Sequence, residues 1–375
     1  MIPFNKPYSS GDELKNIATA VTAGKISGDG AFTTKCHDFF EKRYGFKKCL
    51  LTTSCTDALE MAAILLDIQP GDEVIAPSYT FVSSVNAFTL RGADIVFADS
   101  YDDHPNIDPQ HIEKLITPKT KAIVVVHYAG VACDMDSIMA LANQYNIPVV
   151  EDAAQAIDSY YKGRPLGSIG TFGTFSFHET KNIIAGEGGL LAINDEKYIQ
   201  RAEIIREKGT NRSSFFRGEV AKYGWVDIGS SFLPSDIIAA YLYAQLENID
   251  DIQARRKAIW QRYYDKLSNV LAGSGVDLPS VADYSTNNAH MFYLVCESLD
   301  QRSALIQFLK DNGIHAVFHY LSLHQSEYYQ TKYSGSNLPN SDRFTDTLVR
   351  LPLFYELTDE KVDYICNKIN EFIGM

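Results

Sequence analysis

No uninterrupted apolar run in the sequence is long enough to cross a bilayer. The longest uncharged, mostly apolar stretch, 122–133, is broken by His127, and a spanning helix needs roughly 20 such residues. No membrane partner is expected. The opening MIPFNKPYSSGDELK has neither the apolar core nor the cleavage site of a signal peptide. Positive charge is scarce: 34 Lys and Arg face 47 Asp and Glu, for a net charge of -13. General nucleic-acid binding needs a basic footprint, so no nucleic-acid partner is expected, although a local anion site remains open. Cysteine pairs are missing too. Cys36, Cys49, Cys55, Cys133, Cys296 and Cys366 are scattered without a C-x-x-C. They read as reduced thiols of a cytoplasmic protein and argue against a structural zinc site. No G-x-G-x-x-G follows a strand, which weakens a dinucleotide reading. Internal repeats and low-complexity tracts are absent.

What remains is a globular composition, 45% apolar and 22% charged, over 375 residues. That is too long for one ordinary domain. Ser10-Gly11-Asp12-Glu13 has the form of a capping box, with Leu14, Ile17, Ala18 and Val21 at helical spacing and Gly24 as a stop. A second helical pattern covers about 57–66. Strand-like runs at 73–76, 95–98, 122–127 and 149–151 then alternate with helical segments such as 137–144, which predicts a mainly parallel sheet with helices on both faces. Two further strand-like runs, 171–177 and 189–193, flank a Gly-rich turn. Residues 236–271 contain no proline and read as helical for much of that length, long enough to bridge two domains. Strands at 290–296 and 314–320 and helices at 302–312 and 358–373 predict a small α+β unit. The expected division is a large domain over 1–250 and a small one over 251–375.

Three segments carry candidate chemistry. Thr52-Thr53-Ser54-Cys55-Thr56-Asp57 puts small hydroxylated residues where a helix begins, a place that holds phosphate; taken alone, plain N-capping is the simpler reading. Val149-Val150-Glu151-Asp152 ends a hydrophobic strand on an acid, at the edge where α/β sheets bind ligands. Asp152 could hold a cation or a protonated ring nitrogen, or merely cap the next helix. In Ser176-Phe177-His178-Glu179-Thr180-Lys181, the lysine sits between two apolar strands. Partial desolvation there would make it nucleophilic, whereas a lone lysine is ordinarily a solvated charge and a lone histidine is structural.

Taken together these segments are specific. An acid followed about 29 residues later by the lysine of S-F-H-x-x-K resembles the DegT/DnrJ/StrS sugar aminotransferases, pyridoxal 5'-phosphate (PLP) enzymes of aminotransferase fold type I. Pro77–Phe81, His127–Gly130, His319-Tyr320 and His324 extend the resemblance over essentially the whole chain. It implies that Lys181 bonds covalently to PLP, that Asp152 pairs with the pyridine N–H, and that Gln155 lies near the ring's phenolic oxygen. Phe81 would stack on the ring. The backbone of Cys55 and Thr56 and the hydroxyl of Ser176 would hold the phosphate, and His178 would sit beside the lysine. A homodimer is implied, with Ser231 taking the position of an asparagine that relatives supply from the neighbouring subunit.

The stretches 65–79, 126–136, 204–217 and 227–231 resemble family members of one specificity, and that resemblance implies a particular reaction: dTDP-4-keto-6-deoxyglucose to dTDP-4-amino-4,6-dideoxygalactose, with L-glutamate leaving as 2-oxoglutarate. The gluco epimer, or another nucleotide keto sugar, stays open. Sugar 3-dehydrating relatives carry histidine in place of the lysine, and an idle regulatory member would be expected to lose the lysine or the acid. Substrate contacts are expected from Lys208, Asn211, Arg212, His319 and Tyr320, the first three in a basic stretch suited to a diphosphate.

Overall fold

The computed structural model describes residues 1–374. The N-terminal part carries helices α1 (Glu13–Thr22) and α2 (Ala31–Tyr44), then strand β1 (Lys48–Thr52) and helix α3 (Cys55–Leu65). Strands β2 (Glu73–Pro77), β3 (Asp94–Ala98), β4 (Thr120–Val126) and β5 (Val149–Asp152) follow, separated by α4 (Ser83–Thr89), α5 (Pro109–Leu115) and α6 (Met135–Tyr145). A short hairpin of β6 (Tyr160–Tyr161) and β7 (Arg164–Pro165) precedes β8 (Phe172–Ser176) and β9 (Gly189–Ile193). Seven strands form one sheet in the order β1-β9-β8-β5-β4-β2-β3, with only β9 antiparallel to its neighbours. The central strands are nearly continuous apolar runs because both faces are covered. Phe40 and Ile138 pack on one face, and Leu59 and Phe88 on the other.

Register positions the site. Asp152 pairs with Val126 on one side and Thr174 on the other, so the carboxyl ends of β4, β5 and β8 lie together at one edge of the sheet.

Beyond β9 come α7 (Ile199–Arg206), α8 (Arg212–Phe216), α9 (Asp236–Glu247) and α10 (Ile249–Leu271). The C-terminal part adds β10 (Phe292–Val295), α11 (Leu299–Asp311), β11 (Val317–Phe318), α12 (Pro339–Thr347), β12 (Leu348–Leu351) and α13 (Asp359–Ile373). Its antiparallel sheet has the order β10-β12-β11 and packs on Trp260, Leu305 and Ile365. The whole is a mainly parallel α/β sheet with a small antiparallel unit, the architecture of fold type I.

Several local expectations change. The span 236–271 is two helices, not one, broken at Asn248, whose Nδ2 donates to the Ala244 carbonyl. The expected division at residue 250 falls inside the first turn of α10. Ile249 and Ile252 belong to the large core, and Ile259 and Tyr263 to the small one. The run 314–320 forms strand only at Val317–Phe318, against β12, a strand the sequence reading did not contain, and makes one further bridge from Ile314 to Ile2. Helix α1 turns most of its predicted apolar stripe outward: Leu14 is 78% exposed and Val21 53%, while Ile17 packs half-buried on the core and Glu13 is buried. The expected capping box is half made. Ser10 N–H donates to the Glu13 carboxylate at 2.8 Å, but the N-cap is Asp12, without a side-chain bond. Ser9, Gly11 and Gln245 also donate to Glu13, and these donors hold the acid inside.

Candidate active site

Strand β1 ends at Thr52 and α3 begins three residues later, with the Ser54 hydroxyl accepting from Asp57 N–H at 3.0 Å. The N–H groups of Cys55 and Thr56 have no protein acceptor among the described residues. They are the positive end of a helix that opens onto a cavity of about 620 Å³. Burial pushes the Cys55 thiol pKa up, so it stays protonated. Gly189 explains part of the Gly-rich turn. It pairs with Thr52, and a Cβ there would overlap the backbone of Ser54 and Cys55. Only glycine lets β9 lie against the helix start. Ser176, closing β8, lines the same cavity.

Asp152 ends β5 inside this cavity, buried. One oxygen accepts from the Ser84 hydroxyl at 2.7 Å and the other from Ala154 N–H at 3.1 Å. Burial raises its pKa, opposed by those hydrogen bonds and by the charge of Lys181. Gln155 accepts from Ala129 N–H at 2.7 Å and donates to the Tyr320 hydroxyl at 3.2 Å. Phe81 lies beside Tyr320, ring centroids 5.9 Å apart, and is 54% exposed.

Lys181 follows β8, fixed by a turn from its N–H to the His178 carbonyl at 2.9 Å. Its Nζ makes no hydrogen bond to protein among the described residues. Burial lowers its pKa to about 8, helped by the charge of Arg350 and opposed by Cys55 and Asp152. His178 packs its Nδ1 against the Thr180 hydroxyl at 3.0 Å, with Nε2 3.7 Å from Glu187.

The cavity thus gathers Cys55, Thr56, Phe81, Asp152, Gln155, Ser176, His178, Lys181, His319 and Tyr320. Ser231 is not among its walls: it bridges to Glu207 and is exposed. Lys208, Asn211 and Arg212 also lie outside the cavity of their own chain. The arginines in and beside the basic stretch are paired with acids, while Lys208 makes no ion pair among the described residues. Arg212 pairs with Glu207 at 2.9 Å, Arg206 with Asp29 at 2.6 Å, and Arg217 with Glu203 at 2.8 Å. The sequence reading counted Lys208 and Arg212 in a basic stretch suited to a diphosphate; charge counting along a chain does not show that Glu207 folds back onto Arg212. It also missed Ser84, His290 and Arg350, which line the cavity. An arginine amid the apolar run Leu348–Phe354 was the available signal.

Two unpaired N–H groups at a helix start, a buried carboxylate and an amine of lowered pKa face one space. This donor set fits the phosphate, ring nitrogen and aldehyde of PLP. Together with the sheet order, it defines a PLP-dependent aminotransferase. The profile of the DegT/DnrJ/EryC1/StrS aminotransferase family matches residues 7–370, and the chain belongs to that family. Among solved structures, a protein described as a sugar aminotransferase from Streptococcus pneumoniae, in its PMP form, has a TM-score of 0.92 at 29% identity, over 100% of this chain and 99% of that one. The same protein is known with PLP. DesV of S. venezuelae, solved with a ketimine intermediate, gives 0.90 at 28% identity over 100% and 99%. An aminotransferase from Psychrobacter cryohalolentis gives 0.92 at 28% over 99% of each chain.

Proposed function

We propose that the protein aminates C4 of dTDP-4-keto-6-deoxyglucose to give dTDP-4-amino-4,6-dideoxygalactose, taking the amino group from L-glutamate and releasing 2-oxoglutarate. The observation that carries the aminotransferase chemistry is Lys181, an unpaired amine of pKa about 8 in the same cavity as Asp152 and the start of α3. The nucleotide-sugar assignment draws on the sequence stretches that resemble family members of this specificity. An apolar groove of about 380 Å³ shares Thr80, Phe81 and Tyr320 with the cavity and gives a bulky substrate room.

When bound, PLP supplies an electron sink and the carbon that carries nitrogen between donor and acceptor. The Cys55 and Thr56 N–H groups and the Ser176 hydroxyl bind its phosphate. Asp152, held by Ser84 and Ala154, keeps the proton on the ring nitrogen. Lys181 would hold the PLP aldehyde covalently and, once free, would be the amine that carries the proton between Cα of the donor, the cofactor's reacting carbon and C4 of the sugar, since one amine can reach these positions in turn. Phe81 and Tyr320 orient the ring and keep water from it. The active form is a cytoplasmic homodimer in which Ser231 reaches the partner's cavity.

The test is incubation with L-glutamate and dTDP-4-keto-6-deoxyglucose, followed by NMR of the product. An axial C4 amine with stoichiometric 2-oxoglutarate is expected. An equatorial amine would assign the gluco epimer instead, and no amination across a panel of dTDP- and UDP-keto sugars would refute the substrate class.

A further inference from the structure

A polar junction next to Lys181 fixes one histidine ring in a single protonation form. Asn182 donates from Nδ2 to the Asn288 carbonyl and to Gln253 Oε1, each at 2.9 Å. A carbonyl can only accept, so the other amide atom, Oδ1, is the one that faces His290 Nδ1 at 2.9 Å. The ring proton is therefore on Nδ1. The backbone of His290 is held as well: its N–H donates to Asn288 Oδ1 at 3.0 Å, and its carbonyl accepts from Arg256 at 2.8 Å. Asn288 is oriented in turn by the carbonyls of Gln155 and Ile157, each 2.8 Å from its Nδ2. Burial keeps the imidazole neutral, helped by the charges of Lys181, Arg350 and Arg256.

A neutral ring with its proton on Nδ1 has a bare lone pair on Nε2. The ring lines the cavity, and Nε2 has no hydrogen-bond partner among the described residues. A buried acceptor left without a donor is unfavourable, and the ring cannot turn away without breaking its bond to Asn182. The site is satisfied by a ligand that donates a hydrogen bond.

The ligands differ in that respect. The cofactor phosphate, the sugar diphosphate and both carboxylates of glutamate only accept, whereas the keto sugar carries hydroxyls. Position narrows the choice. His290 is tied to the residue after Lys181, and the lysine's charge acts on it more than any other charge does, so the ring stands by the reacting carbon. In a 4-keto-6-deoxyhexose, C5 carries a methyl group and the ring oxygen, and C3 carries the one hydroxyl next to the ketone.

We propose that His290 Nε2 accepts a hydrogen bond from the C3 hydroxyl of the keto sugar, so that the enzyme selects sugars hydroxylated beside the ketone. This rests on the 4-keto-6-deoxy sugar of the reading above, and not on the nucleotide or the epimer formed.

The experiment compares holoenzyme carrying His290→Asn or His290→Gln with the unaltered protein. Asparagine keeps a donor where Nδ1 stands and removes the acceptor; glutamine can place its carbonyl oxygen near Nε2. The sugars are dTDP-4-keto-6-deoxyglucose and its 3-deoxy analogue. The donor step is followed by loss of the cofactor's visible band with glutamate, and the acceptor step by return of the band when sugar is added to amine-loaded protein. With the parent sugar, His290→Asn should slow the acceptor step about tenfold more than the donor step, the size expected for a buried hydrogen-bonding group left unpaired. The unaltered protein should lose about the same factor with the 3-deoxy sugar, and His290→Asn should add no more than about twofold to that loss, because the pair is already broken. His290→Gln should fall between. Calorimetry with dTDP-6-deoxyglucose, which has no ketone and does not react, and with its 3-deoxy analogue should show the same pattern in affinity. Equal slowing of both steps overturns the proposal and gives Nε2 to the amine of Lys181 or of the donor. Equal loss with the parent and the 3-deoxy sugar overturns it too. Retained cofactor absorbance and melting temperature identify folded variants. If neither variant folds, the unaltered protein still decides, since equal rates with the two sugars overturn the proposal. Should the unaltered protein aminate a different keto sugar, the substrate named above is wrong, and His290 is tested with that sugar and its analogue deoxygenated beside the ketone.

Discussion

Lys181 is held between opposing influences, and its behaviour with pH follows from them. Its ordinary pKa of 10.5 falls to about 8 through burial, and Arg350 pushes it further down while Asp152 pulls it up. Only the neutral amine can bond to PLP, so cofactor uptake by apo-protein should rise with pH and level off above about 8. Removing the acid in Asp152→Asn should move that midpoint lower, and Arg350→Met should move it higher. Growth of the visible band after mixing with PLP measures this; a midpoint near 10.5 would remove desolvation from the account. Lys181 and Asp152 were legible because the acid-to-lysine spacing and S-F-H-x-x-K resemble the family's motif; each residue alone read equally as a solvated charge or a cap. Arg350 and His290 were not. Each is an ordinary polar residue in an apolar run, and what makes it matter is which wall it faces across 100 residues or more of chain.

At the level of elements, the start of α3 depends on a strand that arrives from far along the sequence. The Gly-rich turn reads from sequence as a turn and no more. The structure ties Gly189 to the backbone of Ser54 and Cys55, which a side chain would displace. Gly189→Ala should therefore weaken PLP binding about tenfold or more and cost about 1–3 kcal/mol of stability. Gly186→Ala, where φ is +79° but no atom lies in the way, should cost about 1–2 kcal/mol in backbone strain and leave PLP affinity close to its starting value. Equal PLP affinities in equilibrium titrations of the two variants would contradict this. The parallel strands were readable because burial on both faces leaves continuous apolar runs. Helix α2, strand β1 and strand β12 were not read, the last because its pairing with β10 and β11 is decided outside its own sequence.

The whole molecule leaves apolar surface uncovered. Leu14 and Val21 point outward from α1, and Trp225 is 83% exposed beside Val226 and Ile228, close to Ser231. A helical stripe is visible in sequence, but whether a chain covers it with its own residues or with another copy is not. The proposed dimer predicts sedimentation at twice the 41.9 kDa chain mass. Ser231→Ala should lower PLP affinity about tenfold, the loss of one hydrogen bond to a charged group, about 1.5–3 kcal/mol. A fully active monomer, or unchanged affinity, would rule out a contribution from Ser231 across the interface.

The large sheet ends on one side at β3, whose outer backbone groups have no strand beside them among the described residues. Tyr329, from the segment before α12, puts a single hydroxyl against this edge. It accepts from Ile95 N–H at 2.8 Å and donates to the Ile95 carbonyl at 3.0 Å. One side chain thereby takes the place of a neighbouring strand at the residue where a second molecule would start to pair. Tyr329→Phe keeps the ring, which packs 5.0 Å from Phe97, and removes only the hydroxyl. The variant should stay folded and active in dilute solution yet lose solubility on concentration or mild warming, as light scattering would record. The protein's resistance to edge-to-edge aggregation would then rest in part on a phenol about 150 residues distant in sequence from the lysine that does its chemistry.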